Sequence, residues 1–247
     1  MANWNDPRPT GTGFGASPSL SGIQGRSEVF DAGLRRHMLS IYNYMASGVL
    51  LSGIVALLFA TSGMAEAVFG TPLRWVVALA PLAFVMIMSF GVNRLSTFAM
   101  QAMFWGFSTV MGMSLSAIFF VYTGPSIAVT FFATAGAFAG LSLYGYTTKK
   151  SLSGLGSFLI MGVFGLLIAS LVNIFLQSPG LAWAVSFLGV LIFAGLTAYD
   201  TQRLKEEYAY VAGTEFAGKA VVLGALSLYL DFINMFQFLL QFMGDRR

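Results

Sequence analysis

Two aspartates stand out among the few ionisable side chains of this sequence. Asp231 sits inside an apolar run, in Leu226-Ser227-Leu228-Tyr229-Leu230-Asp231-Phe232-Ile233-Asn234. At a helical advance of about 100° per residue, Gly224, Ser227, Asp231, Asn234 and Gln241 fall within an arc of roughly 100°. That is one polar stripe on an otherwise apolar cylinder. Ionisable groups at membrane depth are costly and mark functional sites by default, so the stripe should face protein or a water-filled cavity. Ser227 and Asn234 are then pore-stripe neighbours of the carboxylate. The competing reading is a protonated Asp that glues two helices, a job Ser or Asn does at lower cost. Asp200 closes the preceding apolar run, in Leu196-Thr197-Ala198-Tyr199-Asp200-Thr201-Gln202-Arg203. Alone it reads as an interfacial carboxylate paired with Arg203 at i+3. Beside Asp231 it reads differently, because two carboxylates within a few ångströms cannot easily both ionise and would share a proton. Such a pair is a proton sensor, a hard-cation ligand, or an acid–base dyad. Arg94, in Phe90-Gly91-Val92-Asn93-Arg94-Leu95-Ser96, is either an ordinary loop cation or a latch on a carboxylate at the same face.

Other chemistries fail on inventory. The chain has no cysteine, which removes disulfides, thiolate metal sites and a cysteine nucleophile. Its one histidine, His37, precedes the first apolar run, so a Ser–His intramembrane protease has no base, and His-Glu-x-x-His is absent. Lys219 sits at the edge of the last run, too shallow for a retinal Schiff base. Tyr199-Asp200 matches half of the intramembrane aspartyl protease pattern, but no glycine precedes Asp231. The methionines at 86, 88, 100, 103, 111 and 113 read as flexible packing rather than a soft-metal ladder. We therefore expect no covalent chemistry, and no cofactor beyond a transiently bound hard cation.

The elements that must position these residues follow from composition. Of 247 residues, 57% are hydrophobic and 9% charged, against about 25% charged in soluble domains, which excludes a soluble enzyme. Apolar runs at about 40–62, 73–92, 98–122, 126–146, 156–177, 181–202 and 219–243 are each long enough to cross a bilayer. The expectation is an all-α polytopic integral membrane protein with seven transmembrane helices, over residues 39–247. Residues 1–38 read as a disordered cytosolic arm, with a short interfacial helix around Glu28 to His37. The stretch at about 203–218 reads as the longest internal break. Ten basic residues fall on the side of the N-terminus and three on the other: Arg74, Arg246 and Arg247. The bias places the N-terminus in the cytosol and the C-terminus outside, unless the last segment re-enters. No basic cluster interleaves with aromatics, so no nucleic-acid partner is expected. Small residues at four-residue spacing (Gly48, Ser52, Ala56, Ala60; Ser108, Gly112, Ser116; Gly136, Gly140) predict close helix contacts.

Ala198-Tyr199-Asp200-Thr201-Gln202 and the block from Leu226 to Phe236 resemble the transmembrane Bax inhibitor motif family, also called the Bax inhibitor-1/YccA family. The resemblance covers about residues 30–243, and the short loops and lack of cysteine look bacterial. It implies an inner-membrane bundle whose seventh helix is central. It further implies a pH-sensitive calcium or cation leak with Asp200 and Asp231 as sensor pair and Arg94 as latch. Some bacterial relatives in that family are described as modulators of a membrane AAA protease, so stress-response regulation through the polar arm is the alternative implied.

Overall fold

The computed structural model describes the backbone of residues 20–247 and the side chains from Val29 onward. Residues 1–19 of the predicted arm lie outside the described residues. The rest is helical: α1 (Leu20–Thr61), α2 (Met64–Phe69), α3 (Leu73–Gly91), α4 (Thr97–Leu115), α5 (Ile118–Val121), α6 (Gly124–Thr147), α7 (Ser153–Leu176), α8 (Pro179–Val211) and α9 (Ala217–Met243). Seven segments are long and apolar enough to span a membrane, with α4 and α5 together forming the third. The chain is a seven-span, all-α membrane protein.

The breaks have local causes. The Ser96 hydroxyl accepts from the Ala99 amide at 3.1 Å and starts α4. Ser178 caps α8 in the same way at 3.3 Å, with Pro179 in the first turn. Between them α7 ends on Gln177 in a left-handed conformation (φ 48°), and the Asn173 side chain accepts from the Ser178 amide at 3.0 Å.

Two helices run beyond their predicted ends. The arm, expected to be unstructured but for a short interfacial helix around Glu28 to His37, is helical from Leu20, continuous with the first span. The break expected at 203–218 shrinks to a few residues, because α8 continues to Val211 and extends about 50 Å. The physical reason is that each extension covers the other. Tyr208 stacks against Phe30 and His37, with ring centroids 5.2 and 5.1 Å apart, while Leu34, Met38 and Leu204 are buried. Polar composition conceals such a pairing, since only one face of each extension is apolar.

The most buried span is α9, which packs against α1, α4, α6 and α8, while α3 packs on α4 and α7 on α8. It runs from the face that carries Arg94, where Lys219 Nζ donates to the Val92 carbonyl at 3.0 Å. It ends at the opposite face, where the Thr123 amide donates to the Asp245 carbonyl at 3.1 Å and the Arg247 amide to the Val121 carbonyl at 3.0 Å. The last helix therefore traverses the bundle from end to end and does not re-enter. Trp75 and Trp183 lie near that opposite face, as interfacial aromatics do.

The small-residue faces divide. A Cβ on Gly112 would lie 2.6 Å from the Ser52 carbonyl oxygen and 2.8 Å from Val55 Cβ, so α1 and α4 are in backbone contact there. Gly136 and Gly140 face open space instead. The fourth span packs through Thr134, Phe138, Ser142 and Gly145, and a Cβ on Gly145 would overlap the Ala198 backbone of α8.

Candidate functional site

Helices α8 and α9 run antiparallel, and the polar stripe of α9 lies along α8. At one end of the contact Ser186 Oγ donates to Gln241 Oε1 at 3.3 Å. Nearer the Arg94 face, Ser227 Oγ donates to Asp200 Oδ2 at 2.9 Å. Arg203, one turn from Asp200 on the same helix, closes a three-membered cluster: 3.3 Å from Asp200 Oδ1 and donating to Ser227 Oγ at 3.1 Å. The Arg203–Asp200 pair is the one salt bridge among the described residues.

Asp231 lies one turn beyond Ser227, deeper in the bundle, and within electrostatic range of Asp200 and Arg203. It is 5% exposed, and its Oδ2 is the one buried side-chain polar atom among the described residues without a hydrogen-bond partner. Buried polar groups in native structures are nearly always satisfied, and each exception calls for an explanation. Asn234, the next member of the stripe, spends its amide on the Leu230 carbonyl of its own helix at 2.8 Å. It lies on the stripe but makes no hydrogen bond to either carboxylate.

The sequence placed a latch at Arg94; the structure puts another cation beside the pair. Arg94 is exposed in the loop between α3 and α4 and forms no ion pair among the described residues. Arg203 is held within reach of Asp200 by three residues of helix, which a loop cation on another element is not. The i+3 spacing of Asp200 and Arg203 was the visible signal, and it reads as an ordinary surface pair until Ser227 is seen to join it.

A cavity of about 320 Å³ opens onto this cluster from the Arg94 side, lined by Ser89 of α3, Arg203 and Glu207 of α8 and Ser227 of α9. Glu207, which sequence reasoning left in a loop, belongs to this vestibule because α8 continues as a helix. The same stretch of α8 also holds its other neighbours. Ser142 of α6 lies 3.0 Å from Thr201 Oγ1. Gln202 donates to the Lys150 carbonyl at 2.9 Å and accepts from the Leu152 amide at 2.7 Å. Residues 200–203 thus tie α8 to α9, to α6 and to the α6–α7 loop, so a shift of this turn would be felt by all three.

Calcium requires six to eight oxygen ligands for tight binding. Among the described residues no group of three or more His, Cys, Asp or Glu is placed to hold a metal ion. Two carboxylates and a hydroxyl are too few ligands for a calcium cage.

A family model described as "Inhibitor of apoptosis-promoting Bax1" matches residues 34–247. An uncharacterized protein of Caulobacter vibrioides is 51% identical over 230 residues, covering 88% of this chain and 91% of its own length. The protein named "Inner membrane protein YbhL" of Escherichia coli is 46% identical over 220 residues, covering 87% of this chain and 94% of its own. A protein of Rickettsia prowazekii is 43% identical over 224 residues, with 90% and 94% covered.

Proposed function

Because the chain belongs to the Bax inhibitor-1 family, we propose that its buried carboxylate pair gates a pH-sensitive leak of calcium or a similar cation across a bacterial inner membrane. The proposal involves no covalent chemistry. The observation that carries it is Asp231 Oδ2, an acceptor without a partner inside the bundle, one turn along α9 from the serine that donates to the ion-paired Asp200 of α8. A purely structural Asp would be expected to use both oxygens.

In the sealed state Asp200 is held by Arg203 and Ser227, and the two carboxylates share a proton. Removing that proton places two like charges close together where water is scarce, and their repulsion is large at low dielectric. A cation entering from the Arg203–Glu207 vestibule relieves it. The sealed state holds more protons than the open or cation-bound state, so raising the pH favours the leak. The pair acts as a gate because proton and cation stabilise different states, which is the condition for any ligand to shift an equilibrium. With the basic loops placed inside, the vestibule faces the cytosol and the C-terminus lies outside.

The test is calcium flux into proteoliposomes at about pH 6 and about pH 8, a bracket suited to buried carboxylates. Wild type should leak faster at the higher pH, and Asp200→Asn or Asp231→Asn should bring the two rates together. Folded, reconstituted wild type that passes no calcium at either pH would overturn the proposal and turn attention to protein partners.

A further inference from the structure

Helices α1 and α6 are neighbours around α9 but do not pack tightly against each other. Between them runs a groove of about 770 Å³, whose walls come from α1 (Arg35 to Leu50) and α6 (Phe131 to Tyr146), with Phe232 of α9 also lining it. Each wall covers fifteen residue steps, so the groove is about 22 Å long, more than the roughly 15 Å half-thickness of a bilayer's hydrocarbon core. Its lining is almost wholly apolar through its length. The walls include the exposed Leu39, Leu50 and Leu143, so the groove opens sideways toward lipid.

The end at the Arg94 face differs. Arg35 lines it from α1, and Tyr146 lines it from α6. Lys205 of α8 stands against Tyr146, its Nζ donating to the Tyr146 carbonyl at 2.7 Å and lying 5.2 Å from the ring centroid. Lys149 and Lys150 follow Tyr146 by three and four residues and are exposed. Among the described residues none of these cations has a carboxylate partner, and Asp31, one turn before Arg35, forms no ion pair with it. The site is thus an apolar slot one acyl chain deep with unneutralised positive charge at its mouth.

We propose that this groove binds one anionic phospholipid of the leaflet on the Arg94 side. An acyl chain lies between α1 and α6, and the headgroup phosphate sits among Arg35, Lys205 and the two lysines that follow α6. Basic pockets between membrane helices on one face recognise anionic headgroups in this way. The groove reaches Phe232, the residue after Asp231, so an occupying chain touches the helix that carries Asp231. The proposal itself does not depend on any leak.

The test uses the full chain in nanodiscs of equal phosphatidylglycerol and phosphatidylcholine, released for native mass spectrometry. Wild type should retain one phospholipid, enriched for phosphatidylglycerol. Arg35→Gln and Lys205→Gln should each lower the enrichment about fivefold or less, in keeping with the strength of one basic residue at a membrane surface. Ala139→Trp and Ala46→Trp fill the slot from opposite walls and should abolish retention, with unfolding in detergent as the check that each variant is folded. Retention of the same lipid in both folded tryptophan variants would overturn the groove as the site. Equal retention of the two lipids by wild type, or of none, would overturn the proposal as a whole.

Discussion

Helix α9 buries polar groups on two sides of the same stretch, and the two sides are built differently. Tyr229 faces α1 and α4: its hydroxyl lies 2.6 Å from Ser52 Oγ, which donates to the Ser108 carbonyl at 2.7 Å. The ring is fully buried against Phe104 and Phe107. Every polar atom there has a partner, and no charge is involved. Two residues along, Asp231 faces α8 beside Asp200, with one oxygen unsatisfied and the neighbouring charges held by an arginine whose side chain is 44% exposed. The satisfied side fixes three helices in place. The unsatisfied side leaves a buried polar atom without a partner, which suits the proposed gate and which a scaffold avoids.

Breaking the satisfied side should have the largest effect on folding. Gly112→Leu drives a side chain into the α1 backbone at Ser52 and should cost about 3 kcal/mol, read from unfolding in detergent. Arg203→Gln removes the cation from Asp200 and Ser227. Its half-exposed position limits the loss to about 1 kcal/mol, while the pH dependence of calcium flux should change strongly. A flux profile identical to wild type would remove Arg203 from the gate. Tyr229→Phe deletes one interhelical hydrogen bond and should lose about 0.6 kcal/mol, leaving the ratio of flux at the two pH values unchanged. Asp231→Asn should alter stability least, by about 0.5 kcal/mol or less, because no hydrogen bond to Oδ2 is lost. A loss well above that would mean that Asp231 glues helices, and the contrast between the two sides would disappear.

Much of this arrangement was legible in the sequence. The seven spans follow from apolar runs and turn residues, and helical spacing places Ser227 and Asp231 on one face of α9, though it does not give the bond from Ser227 to Asp200 of α8. What escaped were features that depend on which elements meet. Arg94 and Arg203 are equivalent as basic residues near one face, and only the folded positions separate a loop cation from one on the helix of Asp200. The continuation of α8 past Arg203 was hidden because its partner, the extension of α1, is equally polar in composition. Gly136 and Gly140 have the spacing of a packing face but turn outward, since Thr134, Phe138 and Ser142 occupy the contact. The α1–α6 groove is made by helices far apart in sequence, and no pattern within either predicts it.

The central claim is that the proton that matters lies on the unsatisfied side of α9. Infrared difference spectroscopy of the reconstituted protein between about pH 6 and about pH 8 addresses it directly, through the carbonyl stretch of a protonated carboxylic acid. The account predicts such a band that vanishes on raising the pH, is absent in Asp231→Asn and persists in Tyr229→Phe. A band that survives unchanged in both Asp200→Asn and Asp231→Asn, or the lack of any such band in wild type, would contradict it.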